Sequence, residues 1–322
     1  MNARFVIGKA LGSLATLAFV VVINFFLFRV VQTDPVATLF RGHNLTDTQR
    51  AELTRQFGLD GSKLDQFGHY VTQTLHLNFG RSYITNQSVV SEILSAAWPT
   101  IALVGVSTLL STVFGVMIGI AAAWKRRTKT DYAATSLTMV TYAMPDFWLG
   151  MLLLVLLGVT LGWFPIGGIS DPTAPDAGLG HVLDEARHMV LPALTLTIGY
   201  LGEYALVMRS SLLDTMREDY LMLARAKGLR DVMVRNRHAV PNALLPVVTL
   251  IAINFGFVLS GAIAVETIFS WPGLGLATYD ALKGPDLPML QGLFLVFSAA
   301  VIVCNLLADL LYAKLDPRVG ST

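Results

Sequence analysis

Six runs of mostly apolar residues, at roughly 9–31, 99–124, 132–161, 189–208, 243–265 and 289–313, constrain what this chain can fold into. A hydrocarbon core takes about 20 helical residues to cross, and inside it the backbone has no water and must bond to itself. Each run reaches that length, so the sequence predicts an all-α integral membrane protein with six transmembrane helices. Composition agrees, since 54% of the 322 residues are hydrophobic and only 14% are charged, too apolar for an ordinary soluble domain. The first run follows Arg4 and Lys9 as a secretory signal would. It is long, and no small-x-small cleavage site follows it, so it reads as a retained first span.

Lysine and arginine in short connections resist translocation, and their placement predicts orientation. Lys125, Arg126, Arg127 and Lys129 lie between the second and third runs, and Arg209, Arg217, Arg225, Lys227, Arg230, Arg235 and Arg237 between the fourth and fifth. The alternate short connections carry only Arg187 and Lys283. Both basic loops and both termini are therefore expected in the cytoplasm of a bilayer-embedded protein. The net charge of +1, bunched between apolar runs, does not point to nucleic acid. Cys304 is the single cysteine and lies in an apolar run, which predicts a buried small side chain and no disulfide.

The connection 32–97 is too long for a simple loop. Thr46 with Gln49 resembles a capping box, with Gly58 as a plausible stop. Leu64, Phe67, Val71 and Leu75 then recur at helical spacing, predicting a second short helix against the membrane surface or the bundle. The segment packs, or forms part of a landing surface for an extracytoplasmic partner.

Between the fourth and fifth runs, Asp219 is a natural N-cap, Tyr220 to Lys227 holds no helix breaker, and Gly228 suits the position after a helix end. Asp231 can cap a second helix to about Ala239, with Pro241 and Pro246 marking entry into the next run. Two short helices joined at a glycine make a compact knob. Within the runs, Glu203 is the clearest charged residue, with Tyr200 on the same side of its helix and Tyr204 adjacent. A charge in the bilayer is costly, so Glu203 either lines a path or is neutralised or paired. Asn254, Asn305 and Asp309 are weaker signals of the same kind. Pro145 is expected to kink or interrupt the start of the third run, where the residues from Met144 to Phe147 either pack or form part of a gate, and Gly115 and Gly119 permit close helix approach. Glu266 ends the fifth run beside Phe269, Trp271 and Pro272, which fits an aromatic belt or an outer gate.

The segment Asp219-Tyr220 with Ala224-Arg-Ala-Lys-Gly-Leu229 and Arg237-His238 resembles the EAA loop of bacterial ABC importer permeases, in the form seen in their dipeptide, oligopeptide and nickel branch. Ala224, Gly228 and Pro241 fall on the motif's alanine, glycine and proline, while Met222, Leu223 and His238 depart from the general pattern. Phe79-Gly-Arg-Ser82, Trp98-Pro-Thr100, Met144-Pro-Asp-Phe-Trp-Leu-Gly150, Leu161-Gly-Trp-Phe-Pro165, Glu266-Thr-Ile-Phe-Ser-Trp-Pro-Gly-Leu-Gly275, Asp286-Leu-Pro288 with Gln291-Gly292, and Leu315-Asp-Pro-Arg318 resemble that branch in order and spacing. Leu276 stands where the family often has a basic or polar residue.

The resemblance implies a type I ABC importer permease fold with cytoplasmic coupling helices. Its divisions are a first span at 1–31, an extracytoplasmic region at 32–97, a core at 98–313 with the coupling loop at 209–241, and a tail at 314–322. It also implies a bacterial inner-membrane importer of di- or oligopeptides, or of nickel chelates or glutathione, in which this chain pairs with a homologous permease. Two ATPase subunits carrying ATP and magnesium and an extracytoplasmic substrate-binding protein complete it. Asp219, Tyr220, Ala224, Arg225, Ala226, Lys227, Gly228 and Pro241 would couple to the ATPase, and Glu203, Tyr200, Pro145, Glu266 and Trp271 would line the path or gate. No G-x-x-x-x-G-K-[ST] phosphate loop occurs, because Gly8-Lys9-Ala10 lacks the upstream glycine and the hydroxyl residue. The chain is thus expected to bind no cofactor and to leave hydrolysis to a partner. A membrane enzyme would need a motif such as H-E-x-x-H, which the six histidines do not form, and a secondary transporter would be expected to repeat matched broken helices.

Overall fold

The computed structural model describes residues 3–31, 46, 48, 61–175 and 177–315. The suggested Thr46/Gln49 capping box and the stop at Gly58 lie outside the described residues, in whole or in part. Among the described residues the regular structure is helical, apart from one antiparallel bridge between Arg81 and Ser88. The long helices are α1 (Ala3–Phe25, continued by a wide turn Phe26–Val31), α3 (Val89–Trp124), α6 (Leu179–Thr215) and α13 (Leu287–Leu315). Between them run α2 (Lys63–Leu75), α4 (Lys129–Ala143), α5 (Asp146–Leu153, continued by a wide turn to Thr160), α7 (Asp219–Ala226), α8 (Asp231–Met233), α9 (Val240–Ala243), α10 (Leu245–Gly261), α11 (Ile263–Ile268) and α12 (Leu274–Lys283).

Four segments, Arg4–Arg29, Val89–Trp124, Leu179–Thr215 and Leu287–Leu310, are long and apolar enough to cross a membrane, and α4 with α5 makes a fifth if taken as one broken span. The fifth expected run, 243–265, corresponds to α10, whose 17 residues extend about 25 Å at the usual helical rise, short of a full hydrocarbon core.

The expected interruption at Pro145 is a bend of 99° between α4 and α5. A residue before proline is pushed out of the helical region, and Met144 is extended at ψ 128° while Pro145 opens the next helix. Pro99 and Pro192 instead lie inside α3 and α6, which continue through them.

Helix α6 is sandwiched between α3 and α4. A β-carbon at Gly115 would lie 2.7 Å from Tyr204 Cβ, and one at Gly119 would lie 2.6 Å from the Ala205 carbonyl oxygen. On the opposite side of α6, a β-carbon at Gly202 would lie 2.7 Å from the Thr138 carbonyl oxygen. All three glycines bring helix backbones together, Gly115 and Gly119 as their spacing predicted.

The long helices share two ends. At one, the basic loops gather around a core of Ala123, Tyr204, Met208, Leu212, Leu221 and Val234, and Lys9 pairs with Asp309 at 2.8 Å. At the other, Val89 and Ile93 of α3 meet Met289 and Leu293 of α13, and Phe25 of α1 packs on Tyr70 and Leu295. Helix α2 forms where expected and is capped by Ser62 and Asp65 in a reciprocal box. Its packed side is narrower than the predicted stripe. Phe67 and Val71 face the bundle, with Phe67 edge-on to Phe25 at 5.1 Å, whereas Leu64 and Leu75 are exposed. Cys304 is half-buried rather than buried.

Candidate functional site

The two short helices of the basic segment begin where expected, with the cap positions shifted by one residue to Glu218 and Arg230. Glu218 occupies the cap position and Asp219 begins α7, where its charge suits the helix N-terminus. Gly228 has φ +77°, and paired bonds from its amide to the Arg225 carbonyl (2.9 Å) and from the Leu229 amide to the Ala224 carbonyl (3.4 Å) close the helix as a Schellman turn. Leu229 then packs back on the core that contains Ala224. The second helix does not stop near Ala239. From α8 the chain passes through a wide turn, Val234–Ala239, directly into α9 and α10. The widened turn stands just ahead of Pro241, where a regular helix would set the ring against the carbonyl four residues back.

Helix α7 divides its residues between two sides. Leu221 and Ala224 are buried in a core shared with Met208 and Leu212 of α6, Ala243 of α9 and Val247 of α10. Asp219, Met222, Leu223, Ala226 and Lys227 recur at three- and four-residue spacing and are exposed, so an apolar stripe with a charge at each end faces outward. Ala224 thus belongs to the interior of this chain, whereas Met222 and Leu223, two of the three departures from the general motif, are on the surface. Four further contacts fix the knob. Tyr220 Oη accepts from Asn242 Nδ2 at 2.9 Å, and that same amide donates to the His238 carbonyl at 2.9 Å. Arg225 pairs with Asp231 at 3.6 Å and stands over the Trp124 ring at 5.8 Å.

Next to the knob, Arg209 of α6 holds the buried Asp131 of α4 through two parallel bonds, and Asp131 also accepts from the Arg127 amide at 2.9 Å. The basic residues suggested topology but not this pair.

In the middle of the bundle Glu203 is half-buried, and its Oε2 accepts from Asn254 Nδ2 at 2.7 Å. Its partner is therefore an amide of α10 rather than an arginine. Tyr200 lies within electrostatic range of Glu203 and also of Asp146, which immediately follows Pro145 at the bend. In the sequence Asp146 stands inside the motif Met144 to Gly150, with no separate signal of its own. Its side chain lies so close to Gly199 that a β-carbon there would overlap it.

At the end opposite the knob Glu266 is fully buried, and so are its neighbours Phe269 and Trp271, which excludes an aromatic belt at those positions. The Glu266 carboxylate accepts from Thr100 Oγ1 (2.7 Å) and from the amides of Gly275 (2.7 Å) and Leu276 (3.1 Å), while Trp271 Nε1 donates to the Pro99 carbonyl at 3.0 Å. The motif around Trp98 and the motif that begins at Glu266 are thus two halves of one clamp. Asp286 works in the same way. It accepts from the Ser82 hydroxyl and from the amides of Tyr83 and Met289, joining the motif that begins at Phe79 to the start of α13.

Two family descriptions match successive parts of the chain. The sequence matches the family described as "Binding-protein-dependent transport system inner membrane component" over residues 115–321, and "Binding-prot-dependent transport system membrane comp, N-term" over residues 2–104. It is 37% identical to the glutathione transport system permease protein GsiC of Salmonella choleraesuis (strain SC-B67) over 98% of each chain. It is 35% identical to the di/tripeptide transport system permease protein DppB of Pseudomonas aeruginosa (strain UCBPP-PA14), covering 97% of this chain and 98% of that one. It is 31% identical to the oligopeptide transport system permease protein AppB of Bacillus subtilis (strain 168), covering 98% and 99%. The fold is similar to a chain of the inward-facing MetNI methionine ABC transporter, with a TM-score of 0.58 at 15% identity, covering 70% of this chain and 97% of that one. The knob, the clamps and these matches agree, and the chain belongs to the inner-membrane permease family of binding-protein-dependent ABC importers.

Proposed function

We propose that this chain is one of two homologous permeases that form the path of an ATP-driven importer of short peptides, with the basic end in the cytoplasm. The observation that carries this reading is the two-sided helix α7. Its exposed Met222, Leu223 and Ala226 offer an apolar ridge to a groove on a separate ATPase subunit, while Leu221 and Ala224 bind the same helix into the core of α6, α9 and α10. A displacement applied to the ridge therefore passes to three helices of the bundle as a rigid-body motion, which is what switching between two access states requires. A binding protein on the opposite side would deliver substrate, and α10 with α11 would provide the sixth crossing.

The names of the three relatives, a glutathione, a di/tripeptide and an oligopeptide permease, support the peptide class, glutathione being itself a tripeptide. Asp146 and Glu203 near Tyr200 would give the path a negative character suited to a peptide ammonium. The test is uptake by vesicles containing this permease, its homologous partner, the ATPases and the binding protein. A panel of labelled di-, tri- and oligopeptides, glutathione and a nickel chelate should give ATP-dependent uptake of peptides. Met222→Asp with Leu223→Asp should abolish that uptake while the permease still reaches the membrane. Uptake without any ATPase subunit would refute the importer reading, and nickel-chelate uptake alone would refute the peptide reading.

A further inference from the structure

Helices α4 and α5 both run along α6, and the bend between them falls opposite one glycine. On the α4 side, a β-carbon at Gly202 would lie 2.7 Å from the Thr138 carbonyl oxygen and 2.9 Å from the Tyr142 amide nitrogen, so the two helices meet backbone to backbone. On the α5 side, Gly150 faces Thr195, and a β-carbon at Gly150 would make an ordinary contact of 3.4 Å with Thr195 Cγ2. Between these two contacts Gly199 faces Asp146, the first residue of α5. The three atoms nearest to a β-carbon at Gly199 would all belong to the Asp146 carboxyl group, with Oδ1 in overlap, Cγ at 3.2 Å and Oδ2 at 3.8 Å.

Gly199 is therefore a different kind of glycine from Gly202. Its missing side chain leaves a notch in α6, and a carboxylate fills that notch where backbone fills the other. The conformation does not call for glycine, since Gly199 is helical and its φ is not positive. Alanine is the better helix former in a helix interior. What the position would lose with alanine is the seat of Asp146.

The state of that carboxylate gives the notch its meaning. Asp131 is held by Arg209, and Glu203 gives an oxygen to Asn254. Among the described residues the half-buried Asp146 side chain makes neither a hydrogen bond nor an ion pair, and Tyr200 lies within its electrostatic range. Gly199 stands near the middle of the 37-residue α6, at a depth where a carboxylate is costly to keep. A carboxylate held there with both oxygens uncommitted suits a cationic ligand that arrives and leaves.

We propose that Gly199 is a positioning residue that sets specificity, its notch seating the Asp146 carboxylate against α6 beside Tyr200 to meet the amino-terminal ammonium of a passing peptide. The proposal rests on the peptide-path reading given above.

Vesicles containing the permease, its homologous partner, the ATPases and the binding protein test it, with labelled trialanine and N-acetyltrialanine as probes. The binding protein is the same in every sample, so a change in the uptake ratio of the two probes arises in the permease. Gly199→Ala should lower the ratio of free to acetylated peptide by about fivefold, the loss expected when a screened attraction to one charge is displaced. The thermal midpoint of the purified complex should not fall with it, whereas Gly202→Ala, which presses on backbone, should lower the midpoint. In an Asp146→Asn background, Gly199→Ala should lower the ratio no further. An unchanged ratio in Gly199→Ala, a further fall in that background, or a midpoint as low as that of Gly202→Ala would each overturn the proposal. If Asp146→Asn itself leaves the ratio unchanged, the reading of Asp146 as part of the path fails and the role of Gly199 fails with it. Should Gly199→Ala not assemble, Asp146→Glu decides, because it keeps the charge on a side chain one carbon too long for the notch. A lowered ratio supports the seat, and a ratio equal to the parent's overturns it.

Discussion

Arg209 and Asp131 meet as a fork on a carboxylate, with Nε 2.9 Å from Oδ1 and Nη2 3.1 Å from Oδ2. Asp131 sits in the first turn of α4 and Arg209 in the last two turns of α6, so the pair fixes the central helix to the start of the broken span just beside the knob. The carboxylate is buried, and removal of the arginine would leave it without a counter-charge.

Arg209→Leu is expected to lower stability by about 3 kcal/mol, and Arg209→Lys by about 1–2 kcal/mol, because lysine restores the charge but not the two parallel bonds. The double variant Arg209→Leu with Asp131→Leu should recover part of the loss, since no charge is then left buried. Thermal unfolding midpoints of the purified complex measure all three. If the double variant is no better than Arg209→Leu, the pair is not what the single change disrupts.

At Gly228 the requirement is conformational, not steric. A β-carbon there would touch nothing within 4 Å, yet φ is +77°. Gly228→Ala should therefore cost about 1 kcal/mol through the left-handed backbone and loosen the Schellman turn, whereas Gly228→Asn should cost less because asparagine tolerates that conformation. The ATPase rate stimulated by substrate and binding protein should follow the order Gly, Asn, Ala. An alanine variant as well coupled as the parent would mean that the turn is not needed for transmission.

Glu203→Gln keeps an oxygen to accept from Asn254 and removes only the charge. Folding should be unaffected, while uptake of a peptide with a free amino terminus should fall by about fivefold relative to its N-acetylated form, as expected for loss of about 1 kcal/mol of attraction in a hydrated path. Asp146→Asn should act in the same direction. Equal uptake ratios in parent and variants would remove both carboxylates from the path.

What could be read from the sequence was whatever depends on near neighbours in the chain. The break at Pro145, the end of α7 at Gly228, the Ser62 helix and the close approach at Gly115 and Gly119 each follow from local sterics or spacing. The side to which α7 turns Ala224 was not legible, because a motif records which residues matter and not which way they face. Nor was the clamp between Thr100 and Glu266, where partners separated by 166 positions each had an adequate local explanation. Asp146 was hidden for a related reason. It sat inside a motif valued for its proline, and its nearness to Tyr200 arises only when the 99° bend turns it toward α6.

The same clamp yields the sharpest stability test. Glu266 is fully buried and satisfies one hydroxyl and two amides at the N-terminal end of α12, where the helix dipole also favours a negative charge. Glu266→Ala would leave those donors buried and unpaired, and a loss of about 3 kcal/mol is expected from the cost of unsatisfied polar groups. Thr100→Val removes the hydroxyl that donates to Glu266 and accepts from the Leu274 amide, and should cost about 1–2 kcal/mol. Because the two side chains share one network, the double variant should lose less than the sum of the single changes. Unfolding midpoints that add in full would mean that Thr100 and Glu266 act independently, and that the two ends of this clamp are neighbours without being coupled.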